Sequence, residues 1–149
     1  MISGSIKYEG GRELDAALKQ LSARVSRRLL IEGLTESAEP MRDRMEDLAP
    51  RDPETPFDLK ENIVIQRSLG QDAQEAAVIV GPTKRAYYGG LQEFGTAHHA
   101  AQPFARPAFD QTWRVCLAVL GSSLWRELAG RGIHRPSETV ATTVQGEEV

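Results

Sequence analysis

Cysteine is nearly missing from this chain: Cys116 is the only one in 149 residues. One thiol makes no internal disulfide and builds no structural zinc site by itself. No run of 18 apolar residues occurs, and the opening MISGSIKYEGG carries no apolar signal-type stretch. Neither a membrane span nor secretion is therefore expected, and a reducing compartment is. A basic excess is missing too. Eighteen Lys and Arg stand against 21 Asp and Glu, a net charge of −3, which disfavours sequence-independent affinity for nucleic acid. Hydrophobic residues at 40% and charged residues at 26% are ordinary globular composition and exclude wholesale disorder. A chain of this length buries roughly 68–70% of its unfolded surface, so it forms a core without staples.

Catalytic patterns are missing as well. There is no HExxH, CxxC or HxH, so the spacing that metal ligands need is lacking. His98 and His99 are adjacent; in an extended segment they point to opposite sides, and solvated loop histidines are the expected reading. His134 falls near the C-terminal end. Cys116 lies among Trp113, Leu117 and Leu120 and reads as a buried, inert packing thiol. No GxSxG elbow surrounds Ser122-Ser123, and YYGGLQEFG matches neither a P-loop nor a dinucleotide fingerprint. Asp52/Glu54 and Asp58/Glu61 sit in or beside a proline-rich loop and read as solvated charges. No cofactor, no metal and no enzymatic activity are expected.

Periodicity supplies the architecture. Residues 2–8 (ISGSIKY) alternate as a short strand does, and Gly10-Gly11 break it. From Arg12 to Leu48 the apolar residues fall at helical spacing in two registers. Leu14, Leu18, Leu21, Val25 and Leu29 form one stripe; Leu34, Ala38, Met41, Met45 and Leu48 form another, roughly 180° around at about 100° per residue. Either the helix breaks or kinks in the crossover that contains Gly33, with Pro40 adding to the case for a break near residues 33–40, or one long helix buries opposite faces at its two ends. The second stripe then packs either on the chain's own core or on a neighbouring subunit. Thr35 or Ser37 capping a second helix would place Pro40 in its first turn, where proline is tolerated.

After the proline-rich 51–57, Asn62–Arg67 and Ala76–Val80 read as a β-hairpin with a polar tip at 68–75. Residues 86–96 read as a short strand or turn. The last helix is expected to start at Pro107, carry Phe109, Trp113, Leu117, Leu120, Leu124 and Leu128 on one stripe, and stop at Gly130 and Gly132. The fold class is α+β: a small antiparallel sheet with a long, kinked N-terminal helix and a C-terminal helix packed on it. Residues 1–132 form the single domain, and 133–149 form a polar arm.

The unusual segment runs from Tyr87 to Asp110. It gathers Tyr87, Tyr88, Phe94, Phe104 and Phe109 among Gly89, Gly90, Gly95, Pro103 and Pro107. Glu93 lies within this apolar setting with Arg106 as a partner. One reading is a structural corner closing the sheet onto the final helix, with Glu93–Arg106 a local salt bridge. The other is an intersubunit contact, since aromatics and arginine are enriched at interface anchors.

Here the chain resembles a known family. YYGGLQEFGT (87–96) followed by AQPFARPAFDQ (101–111) is similar to the E-F-G-T … P-F … R-P-A signature of head–tail joining proteins, the neck or tail-completion proteins of long-tailed bacteriophages. IKYEGGRELDAALKQL (6–21) resembles that family's opening strand, glycine turn and first helix. LAPRDPETPFDLKENIVI (48–65) resembles its helix-to-hairpin stretch, with Pro56-Phe57 in place of a glycine, two residues inserted and Glu61-Asn62 where a serine is usual. The resemblance spans roughly residues 3–130. It implies a non-enzymatic virion protein, assembled in the host cytoplasm, forming a homo-oligomeric ring between the portal or head-completion proteins and the tail tube. Double-stranded DNA would pass through the lumen without specific binding. A hexamer follows tail symmetry and is favoured; a dodecamer would follow the portal. The alternatives are a tail-terminator ring, a non-viral oligomeric interaction domain, and a metal-dependent hydrolase using His98, His99 and a carboxylate. The interface candidates are Tyr88, Glu93, Phe94, Gly95, Thr96, Pro103, Phe104, Arg106 and Pro107.

Overall fold

The computed structural model describes residues 10–51, 58–69 and 76–136. The expected strand at 2–8, most of the hairpin tip, the proline loop and most of the arm lie outside them. Three helices open the fold: α1 (Gly11–Leu18), α2 (Ala23–Ser37) and α3 (Glu39–Leu48). A 3₁₀ turn at Lys60–Asn62 leads into strands β1 (Ile63–Leu69) and β2 (Ala76–Pro82). Helices α4 (Gly89–Phe94) and α5 (Ala105–Ala129) complete it. The class is α+β, as the sequence indicates.

The N-terminal helical region bends at two places, one of them inside the 33–40 stretch where a break is expected, though at Ala38 and not at Gly33. The first break covers residues 19–22. There the N–H groups of Gln20 and Leu21 turn to Ala17 and Leu18 at 3.2 and 3.1 Å, and Ser26 Oγ donates to the Leu18 carbonyl at 2.8 Å. In a continuous helix that carbonyl would accept from Ser22. The second bend is at Ala38, and Pro40 stands in the first turn of α3 as expected. Ala38 itself occupies the cap position, so neither Thr35 nor Ser37 caps α3: Thr35 Oγ1 donates to Ile31 O and Ser37 Oγ to Leu34 O. Gly33 is interior to α2, where an added Cβ would come within 3.0 Å of Leu124 Cδ2 on α5. Its role is close helix packing.

Most of the two apolar stripes serves two clusters inside this chain, while Leu34 lines an exposed groove. Leu14, Ala17 and Leu29 join Leu124 and Leu128 from the C-terminal half of α5, flanked by Leu18, Leu21, Val25, Trp125 and Ile133. Met45 joins Leu59, Ile63, Ala86, Phe104 and Ala108 around the sheet and the start of α5, flanked by Met41 and Leu48. Helix α5 is thus the common wall of both. A polar clasp ties α2 to it: Glu36 Oε2 accepts from Ser123 Oγ at 2.6 Å and Arg126 Nη2 at 2.7 Å. These bonds, Ser123 first, lower the Glu36 carboxyl below its ordinary range.

Strands β1 and β2 pair antiparallel with Ile63 opposite Pro82, Ile65 opposite Val80 and Arg67 opposite Val78. Along β2, Val78 and Val80 turn toward the helices while Ala77 and Ile79 face outward, the period-two pattern of a half-buried strand. Residues 86–96 differ from expectation. After a 3₁₀ turn at Lys84–Ala86, Gly89–Phe94 form helix α4 in place of the short strand or turn. Buried Gly89 permits this, since a Cβ there would lie 2.9 Å from Pro82 Cγ. Phe109 is also a correction: it is exposed, and Ala108 takes the core position beside it. Cys116 is half-buried rather than buried.

Candidate functional site

The N-terminus of α5 is where the sequence-selected residues converge. An α-helix leaves its first four N–H groups without intrahelical partners. Here Glu93, on α4, takes three of them. Its Oε2 accepts from Phe104 N–H at 2.7 Å and Ala105 N–H at 2.8 Å, and its Oε1 from Arg106 N–H at 3.1 Å. The fourth position is Pro107, which has no N–H. The first intrahelical bond then runs from Ala108 to the Phe104 carbonyl at 3.2 Å. With this capping the helix starts at Ala105, two residues before the proline expected to open it.

Glu93 is 4% exposed. Burial works to raise its pKa, but the bonds from Ala105, the Arg106 side chain, Phe104 and the Arg106 N–H outweigh it and hold the carboxyl below its ordinary range. Arg106 Nε donates to Glu93 Oε1 at 2.8 Å, and its Nη2 to the Glu93 carbonyl at 3.1 Å. The same guanidinium lies 5.2 Å from the centre of the Phe94 ring, a cation–π distance. Phe104 is fully buried beneath the cap.

Gly95 ends α4 at φ +75° and ψ 177°, a region essentially reserved for glycine. The chain then doubles back. Thr96 N–H bonds the His99 carbonyl at 2.9 Å, and Gln102 N–H bonds the Gln92 carbonyl at 2.7 Å. Thr96 Oγ1 accepts from His98 N–H at 3.2 Å. This return brings Phe104–Arg106 over Glu93. Pro103 is exposed at its end. His98 and His99 are exposed, and the His99 ring meets Gln92 Oε1 at 3.2 Å. Among the described residues no group of three or more His, Cys, Asp or Glu is placed to hold a metal ion. Asp58 is half-buried and structural: its Oδ1 accepts from Lys60 N–H at 3.1 Å. Asp52 and Glu54 lie outside the described residues.

The outer face of the site is apolar. Tyr87, Leu91 and Phe94 are 79%, 50% and 73% exposed, at spacing i, i+4, i+7, which puts them on one side of the turn leading into α4. Tyr88 points the other way, packing against the sheet-side cluster, its ring edge-on to Tyr87 at 6.2 Å. Leu91 was not among the sequence candidates; its spacing with Tyr87 and Phe94 becomes a signal once the segment is read as helix. A groove of about 410 Å³ between α2, α3, β2 and α5, lined by Leu34, Met41, Val78, Val80, Phe109 and Cys116, is a second exposed apolar feature.

The family described as "Bacteriophage HK97-gp10, putative tail-component" matches residues 12–95, more than half of the chain. The chain belongs to the HK97-gp10-like family. The match runs from α1 through the hairpin to Gly95, so it includes Glu93 and stops before the helix that Glu93 caps. No curated protein and no solved structure matches the chain. Membership sets the protein among bacteriophage tail components, in agreement with the resemblance read from its sequence. Among the described residues, no helix is long and apolar enough to cross a membrane.

Proposed function

We propose that this tail-component protein is a structural subunit that assembles as a homo-oligomeric ring at the virion neck, between the portal or head-completion proteins and the tail tube. The observation that carries the reading is the exposed Tyr87–Leu91–Phe94 face, mounted on a capped and rigid corner in a member of a phage tail-component family. Large apolar side chains held outward on an ordered element suit a packed subunit contact. A closed ring of identical subunits uses two different patches on each copy, and the apolar groove beside Phe109 offers a second. In this reading the chain turns over no substrate, needs no cofactor, and lets DNA pass without specific binding. Six copies would follow the symmetry of the tail.

A second reading, a tail-terminator ring capping the tube, is favoured by the assignment of the family to the tail. Solution mass by sedimentation, for the chain alone and mixed with portal or tail-tube protein, tests both. A hexamer or dodecamer supports a ring, and the partner that induces it tells neck from terminator. A monomer indifferent to both partners refutes the proposal.

A further inference from the structure

A second recess differs from the apolar groove in being basic. It measures about 590 Å³ and is lined by Ala23, Arg24, Arg27, Arg28, Ile31, Glu32 and Arg67, where the start of α2 meets β1. Arg28 is bonded to Glu32 at 2.9 Å. Arg24, Arg27 and Arg67 form no ion pair with any described residue. Arg27 Nε is buried and has no hydrogen-bond partner among the described residues, a costly condition for a charged donor. The N-terminus of α2 opens onto the same place, with no acidic residue in its first turn and no side-chain cap from Ser22. Three cations, an orphaned donor and a helix N-terminus together call for carboxylates or phosphates.

The recess is concave with apolar walls at Ala23 and Ile31. That shape suits side chains inserted from an extended peptide better than the convex phosphate row of a duplex. Residues 137–149, SETVATTVQGEEV, have that chemistry: Glu138, Glu147 and Glu148, no Lys or Arg, and Val140 and Val144 between them. Pro136, from which the segment departs, shares a separate cleft with Arg12 of α1 and Gln20 in the break after it. Thirteen residues reach up to about 43 Å, beyond a body whose radius of gyration is about 14 Å. We infer that the basic recess is the docking site for the acidic segment 137–149 of a second copy. The inference deepens the ring reading and rests on it: arm and recess are two unlike, complementary patches on one chain, as a rotationally closed contact requires.

The test uses the full chain carrying E138Q, E147Q and E148Q, so that its own arm does not compete, and a fluorescent peptide of sequence 137–149 followed by anisotropy. Saturable binding that weakens as salt rises, and falls at least about tenfold on adding Arg27→Gln or Arg67→Gln, is expected. Arg67→Gln, on an exposed strand position, covers the case in which the Arg27 variant does not fold. No binding, or equal binding by both arginine variants, overturns the inference. So does a short DNA duplex that displaces the peptide and depends on the same arginines, because the site then reads phosphate. In the wild-type chain, peptide exclusion that does not vary with protein concentration would make the occupant the chain's own arm, which also overturns it. A chain that captures the peptide and self-associates through this pairing, but only into dimers or open chains with every partner, refutes the ring and leaves the inference standing.

Discussion

Glu93 caps a helix that begins twelve residues after it: its Oε2 meets the Phe104 N–H at 2.7 Å. With the Ala105 and Arg106 N–H groups also bound to this carboxylate, and Pro107 contributing none, every free donor at the start of α5 has a stated fate. The E-F-G-T … P-F … R-P-A string thus has a physical explanation. Glu supplies the cap, Gly permits the reversal, Phe104 fills the core beneath, and Arg106 and Pro107 complete the helix start.

Replacing this carboxylate tests the cap. Glu93→Gln keeps the shape but removes the charge, and is expected to cost about 2 kcal/mol near neutral pH, lowering Tm by about 4–8 °C. The folded-state pKa of Glu93 is depressed. Its contribution is therefore present above the unfolded value and is lost as pH falls through the lower folded one. Thermal melts of both proteins should converge as pH drops below about 4.5. A constant gap down to strongly acidic pH would show that the charge is not what stabilises the corner.

Gly95→Ala is expected to be severe for a substitution of one methyl group. The backbone conformation alone costs about 1–3 kcal/mol for a non-glycine residue, and the new Cβ would stand 2.8 Å from the Ala101 nitrogen. Denaturant midpoints measure the loss. Wild-type stability in this variant would mean that the turn at 95–101 relaxes freely.

Phe94 and Phe104 should separate assembly from stability. Phe104→Ala removes a fully buried ring and is expected to cost about 3–5 kcal/mol. Phe94→Ser, at an exposed position, should change stability by only about 0.5 kcal/mol while weakening self-association in sedimentation. If Phe94→Ser associates as the wild type does, the α4 face is not the subunit contact.

The first helical break offers a smaller test. Ser26→Ala removes the hydroxyl that holds the Leu18 carbonyl and is expected to cost about 1 kcal/mol in urea unfolding. No change would mean that the Leu21 N–H alone sustains the bend.

Much of this fold was legible in the residues alone. The hairpin, the two helical stripes, Pro40 in a first turn and the long last helix all follow from local spacing, because period-two and period-3.6 patterns are properties of neighbouring residues. The candidate site was half legible: the Glu93–Arg106 pair and the glycine were conspicuous, but the three bonds from the start of α5 to the same carboxylate were not. Tertiary structure alone decided that α4 is a helix, since Gly89 must fit against Pro82. It also decided that the two stripes meet opposite ends of α5, that a break falls at residues 19–22, and that the break expected within 33–40 sits at Ala38. The cap and the basic recess belong to the same class. A carboxylate bonded to amides eleven to thirteen residues away, or an arginine on β1 beside three on α2, has no local period to betray it. Chain reversal creates such contacts, and only the packed molecule contains them.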